Sequence, residues 1–244
     1  MNTVLAAELR KQRSTRTDLT LLLTLLGLGL FAVALHAFSL STDQLVTVTD
    51  QMRVFGWGVL AALFAGIGGA MTIATEFRHG TIRSTFLVTP RRGQVLTAKL
   101  GASALTGATF GFAVELVAIV VGSSVLAGRG IDITLAHPDV VRLLLGGALV
   151  GALWAAFGLG LGAILRNQVT ALVGLATWLL FIENLLIAYI PDVGRLAPGQ
   201  AGFALMGQDP DILLPPAVGA LVLAAWSALA ATAGRVLTMR RDVP

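Results

Sequence analysis

Apolar residues in this chain neither alternate nor keep to one helical stripe; they fill long blocks set apart by short polar segments. Six blocks stand out, at about residues 19–38, 54–75, 100–126, 141–165, 169–190 and 213–234. A helix crossing the hydrocarbon core of a bilayer needs roughly 20 apolar residues. Only helices and closed barrels satisfy their backbone groups in lipid, and blocks of this length fit helices. The pattern predicts an all-α membrane protein with six transmembrane helices and a single domain over residues 1–244. The third and fourth blocks are long enough to tilt or to project beyond the bilayer.

Three polar segments carry patterns of their own. Residues 1–18 are short and basic, with Val4, Leu5 and Leu9 apolar. They read either as an interfacial helix on the membrane surface or as a solvated basic tail. In residues 76–99, Gly80 permits a sharp turn, and a short helix then runs from Thr81 to about Val88. Ile82 and Phe86 lie four apart and share one face of it. Thr89 is a plausible N-cap and Pro90 suits the first position of the next helix. The order is span, turn, short amphipathic helix, turn, span. Such a helix can pass motion from a soluble partner to two spans, or the loop can simply bind lipid headgroups. In residues 191–212, Pro191, Pro198, Pro210, Gly194, Gly199 and Gly202 interrupt any continuous helix. The apolar piece Leu196 to Met206 is too short to span, which predicts a re-entrant or interfacial segment before span six.

Composition supports the membrane assignment. The chain is 56% hydrophobic and 12% charged, with a mean hydropathy of +0.84, whereas a soluble domain carries about 25% charged residues. It has no cysteine, hence no disulfide and no thiolate ligand. The net charge of +4 comes from Lys and Arg beside apolar blocks, which points to lipid headgroups rather than nucleic acid. Of the 17 Lys and Arg, 13 fall in the N-terminus, the 76–99 loop, the Arg166–Asn167 turn and the C-terminus. Only Arg53, Arg129, Arg142 and Arg195 fall on the other side. The positive-inside rule therefore puts both termini in the cytoplasm, in agreement with an even number of spans. The first block is long for a signal peptide and is read as a retained span. Usage rich in Gly, Ala and Arg and poor in Lys suggests a bacterial plasma membrane.

Two acids lie inside blocks, Glu115 in the third and Glu183 in the fifth. A carboxylate there is costly unless paired, neutralised or wet. With Asn184 they form a candidate translocation path for a cationic or hydrogen-bonding substrate; the other reading is a protonated acid bonded to a neighbouring helix. Gly107 and Gly111, Gly147 and Gly151, and Gly158 and Gly162 are spaced for close helix packing. Neither a His-Glu-x-x-His zinc motif nor a phosphate-binding Gly-x-x-x-x-Gly-Lys-Ser/Thr loop is present. The histidines fall at or near block ends, so an intramembrane enzyme is disfavoured.

The order Glu76, Gly80-Thr81, Pro90-Arg91-Arg92 and Lys99 resembles the signature loop of type-2 permeases of ATP-binding-cassette (ABC) exporters. The resemblance covers the whole chain in topology and residues 76–99 in sequence. It implies an N-terminal elbow helix, six spans, a cytoplasmic coupling helix between spans two and three, and re-entrant helices before span six. It also implies that Glu76, Arg78, Gly80, Thr81, Ile82, Arg83 and Phe86 dock into a separate ATP-binding subunit, present in two copies and binding ATP and Mg. A second permease copy, identical or homologous, would complete the path. A secondary transporter driven by an ion gradient, with Glu115 and Glu183 carrying protons, is the alternative.

Overall fold

The computed structural model describes residues 2–41, 47–88 and 91–240, and among them every regular element is helical. Thr89 and Pro90 lie outside the described residues. Helix α1 covers Asn2–Ser14, α2 Arg16–Ser39, α3 Val48–Phe55, α4 Ala61–Arg78, α5 Thr81–Val88, α6 Arg92–Gly128 and α7 His137–Leu165. Helix α8 (Gln168–Thr177) runs through a π-helical turn at Trp178–Ile182 into α9 (Glu183–Tyr189). Then come α10 (Pro191–Gly194), α11 (Pro198–Leu205) and α12 (Pro216–Arg240).

Six stretches are long and apolar enough to cross a membrane: Arg16–Ser39, Gly58–Arg78, Arg92–Gly128, His137–Leu165, Gln168–Tyr189 and Pro216–Arg240. They match the six apolar blocks. The second starts later than the apolar pattern suggested, because Val48–Phe55 forms a separate helix. Gln51, fully buried, ties that helix to a distant loop: its side chain donates to the Asp132 carbonyl (2.8 Å) and accepts from the Thr134 N–H (2.9 Å). Gly56 and Trp57 then turn the chain into a 3-10 turn at Gly58–Leu60 before α4. At 37 residues, α6 is about 55 Å long by its 1.5 Å rise per residue, well beyond a bilayer core of about 30 Å.

Helix α7 is the hub, packed against α4, α6 and α12. Glycine makes these crossings close. A Cβ on Gly111 would strike the Gly147 carbonyl, and one on Gly107 the Gly151 carbonyl. On the α4 side, a Cβ on Gly158 would strike the Gly66 carbonyl. The three glycine pairs picked out by spacing thus line seams within one chain. Without a hydrophobic drive between helices in lipid, such backbone approach is a main source of association. Trp154 sits fully buried beside this hub and meets Phe157 edge-on with ring centroids 5.2 Å apart.

The fifth stretch is peripheral: 17% of its most apolar window is buried within the chain, against 56% for the fourth. Its outward face carries Val169, Val173, Phe181 and Tyr189. Residues 197–206 fold back into the bundle. Helix α11 packs on α12, and Pro198, Gly199, Gln200, Ala201 and Gly202 are all buried.

The seam is testable. Gly111→Leu or Gly151→Leu forces α6 and α7 apart, and overpacking typically costs about 1–3 kcal/mol. A clear drop in detergent thermal stability is expected. Gly174 has no atom within 4 Å of a built Cβ, so Gly174→Ala should leave the melting temperature unchanged or raise it.

Candidate functional site

At the end of α4 where the 76–99 loop begins, α1, α4 and α6 converge on a buried charge cluster. Lys99 is fully buried. Its Nζ donates to Glu8 Oε2 at 2.8 Å and to Glu76 Oε1 at 2.7 Å. Lys11 pairs with the same Glu76 oxygen. Burial pulls the Lys11 ammonium below the ordinary lysine range, and the nearby Lys99 charge pushes in the same direction. One turn along α1, Gln12 continues the network. Its amide nitrogen donates to Thr72 and Ser103 hydroxyls (both 3.3 Å), and its oxygen accepts from the Thr106 hydroxyl (2.7 Å).

Helix α1 is therefore docked through its polar face, with Glu8 and Gln12 inward and Val4, Leu5 and Leu9 only half-buried. Residues 2–14 thus form a helix with one face buried in the chain. Lys99, counted above among the loop cations, is an internal partner instead. Sequence reasoning missed Glu8 and Gln12. Their i,i+4 spacing, with Glu8 alone among the basic residues of the first 16, was the available signal.

Helix α5 forms over Thr81–Val88, the bounds read from the sequence. Gly80 adopts a left-handed φ of 67° to make the turn before it. Ile82 and Phe86 do share a face, and that face is buried against Ile73, Val95, Leu96 and Leu159. Arg92 stacks over the Phe86 ring at 5.2 Å. Arg83 is exposed, as are Leu87 at 82% and Val88 at 85%. Arg78 is exposed and donates to the Gln168 side chain (3.0 Å), while Gly80 and Thr81 are exposed at the turn. The expected docking set thus divides. Glu76, Ile82 and Phe86 are buried inside the chain, whereas Arg78, Gly80, Thr81 and Arg83 lie at its surface. The residues that sequence reasoning missed on that surface are Leu87 and Val88. Their signal was apolarity off the Ile82–Phe86 face.

The two intramembrane acids are both fully buried, but in different surroundings. Glu183 accepts from the N–H groups of Gly199 and Gln200, each at 3.0 Å. It thereby caps the first turn of α11, where N–H groups lack intrahelical partners. Glu115 lies in a crevice between the 3-10 turn and α7. A Cβ on Gly58 would come 2.9 Å from its Oε2, and one on Gly147 would come 3.2 Å from its Cβ. The Gly58 backbone N–H faces the Glu115 carboxyl, and no described side chain bonds either oxygen. Asn184 is exposed and donates to the Leu180 carbonyl (3.0 Å), bracing the π turn. Glu183 and Asn184 thus brace the backbone of α11 and of the π turn, whereas Glu115 faces the Gly58 turn.

No family model matches the chain, and no curated protein matches it.

Two stability outcomes follow. Lys99→Met removes the fully buried cation between Glu8 and Glu76, leaving Lys11 alone on Glu76, and breaking such a pair costs about 3–5 kcal/mol. Thermal melts should show a large loss, partly recovered in the triple variant Glu8→Gln/Glu76→Gln/Lys99→Met. Glu183→Leu strips the cap from α11. Leaving buried N–H groups unpaired costs about 1–3 kcal/mol each, and limited proteolysis should cut first in residues 191–212.

Proposed function

We propose that this chain is the membrane subunit of an ATP-driven exporter, with a separate ATP-hydrolysing subunit docking at the 76–99 loop. The observation that carries the reading is α5. A soluble partner can move a membrane helix only through a contact that does not yield. Helix α5 is pinned at its inner face by Ile82 and Phe86 against α4, α6 and α7 residues, and it offers Arg83, Leu87 and Val88 outward. Glu76 and Lys99 lock the ends of the two flanking spans to α1. A push on α5 would therefore move α1, α4 and α6 together.

In this reading α5 is a cytoplasmic coupling helix, and both termini are cytoplasmic, as the Lys and Arg bias implies. Helix α1 is an interfacial elbow whose half-buried apolar residues meet lipid, and α10–α11 form a re-entrant outer segment. ATP and Mg belong to two copies of the partner, and a second permease copy completes the path across a bacterial plasma membrane. The chain itself performs no hydrolysis.

Glu115 favours one competing reading, a gradient-driven transporter, because a buried acid without a side-chain partner can take up and release a proton. The two readings separate in one experiment. The tagged chain is copurified from its native host, and ATPase activity is assayed with partner identification. On the exporter reading an ATP-binding subunit is recovered in stoichiometric amount and is largely lost with Arg83→Glu or Leu87→Glu. Glu115→Gln leaves that association intact. Recovery of the chain without any ATPase, together with transport abolished by Glu115→Gln, would replace the exporter reading with the gradient-driven one.

A further inference from the structure

A half-open cleft of about 140 Å³ lies between α6, α7 and α12. Both α6 and α12 cross α7 closely. A Cβ on Gly107 would strike the Gly151 carbonyl, and one on Gly160 would strike the backbone of Ala230. The cleft is the gap left between α6 and α12 beside these crossings. Leu159 and Ala163 of α7 form its floor. Leu96 and Leu100 line it from α6, and Ala231 from α12.

One charged residue lines it, Arg235, a single turn along α12 from Thr232. The guanidinium lies against the first turn of α6, because a Cβ on Gly93 would come 3.1 Å from its Nη2. Arg235 forms no ion pair with any described residue. The Thr97 hydroxyl is committed to the Gly93 carbonyl (2.8 Å), whereas Thr232 is exposed. The charge of the surroundings has one sign. Helix α12 contains no acid, and the acids of α6 and α7, Glu115 and Asp139, lie far along their helices from this end. Glu8 and Glu76 are taken by Lys11 and Lys99. Arg92 directly precedes Gly93, and the Arg166 guanidinium reaches the Leu237 carbonyl. A guanidinium fork matches phosphate oxygens. A choline or ethanolamine group would meet cations here and no carboxylate, so the arrangement selects a headgroup of net negative charge.

All three helices are of membrane-spanning length, and beside the guanidinium the lining is apolar. A cationic rim over an apolar groove between spans is the arrangement that holds acidic lipids. We infer that this cleft binds one anionic phospholipid, with its phosphate on Arg235 and an acyl chain against Leu100, Leu159 and Ala231. The lipid also bears on α5. Leu96, Leu159 and Ala163 belong to the cluster that seats Ile82 and Phe86, so a chain lying on them backs the surface on which α5 rests. The site does not depend on the exporter reading.

The test is equilibrium binding of radiolabelled phosphatidylglycerol to the full chain in neutral detergent, with empty micelles subtracted. One saturable site per chain is expected, and unlabelled phosphatidylcholine of the same acyl chains should compete poorly. Arg235→Gln should weaken binding about tenfold, the loss expected for one hydrogen bond to a charged group. Arg240→Gln, on the same helix but outside the cleft, should leave it unchanged. Thr232→Phe fills the cleft without altering charge and should weaken binding similarly; it decides the matter if Arg235→Gln does not fold. Excess inorganic phosphate separates a lipid site from a bare anion site: the lipid should stay bound. Absence of a saturable component, equal competition by phosphatidylcholine, full displacement by inorganic phosphate, or undiminished affinity in a folded Arg235→Gln variant would each overturn the assignment.

Discussion

One ammonium group holds the cytoplasm-facing end of the proposed topology together. Lys99 sits where water does not reach it, and a cation in that position persists only with close counter-charges. Glu8 and Glu76 supply them from two other helices. That constraint fixes α1 against α6, and α4 against both. Everything of functional interest at this end is then hung between fixed points. Helix α5 has rigid supports on either side. The cluster is a device for position more than for net stability, because desolvating four charges offsets much of their attraction.

At the other extreme, the bundle depends on what is missing. Glycines on α4, α6 and α7 let backbones touch, and no side chain of ordinary size could replace them at those crossings. Polar capping then takes over where packing cannot. Glu183 reaches from the fifth span to hold the first turn of α11, so a segment broken by proline and glycine still has a defined place in the bundle. Gln51 serves the loop at Asp132–Thr134 in the same manner.

Much of this was legible in the chain, for a physical reason. A helix in lipid must be apolar over its whole length, and that signal is long, redundant and insensitive to neighbours. The six stretches and α5 were therefore readable to within a few residues. Glycine spacing likewise announced the seams at Gly107, Gly111, Gly147 and Gly151. The direction a polar side chain takes is different, because it depends on residues far away in sequence. Ile82 and Phe86 form an evident apolar face, yet nothing local tells whether that face meets a partner or the chain's own α6. Glu183 and Glu115 look alike as isolated acids in apolar blocks. Only the return of residues 199–200 makes one a cap, while the other faces the Gly58 turn. Lys99 was counted as a loop charge because Glu8, which draws it inward, lies 91 residues away.

That separation has a consequence for biogenesis. Helix α1 leaves the ribosome long before Lys99 exists, and its buried partners on α4 and α6 arrive only with the second and third spans. Until then the partners that hold Glu8 and Gln12 in the folded chain do not exist. The contacts that seat α1 can form only after α6 has been made, so a helix made early is placed by residues made much later.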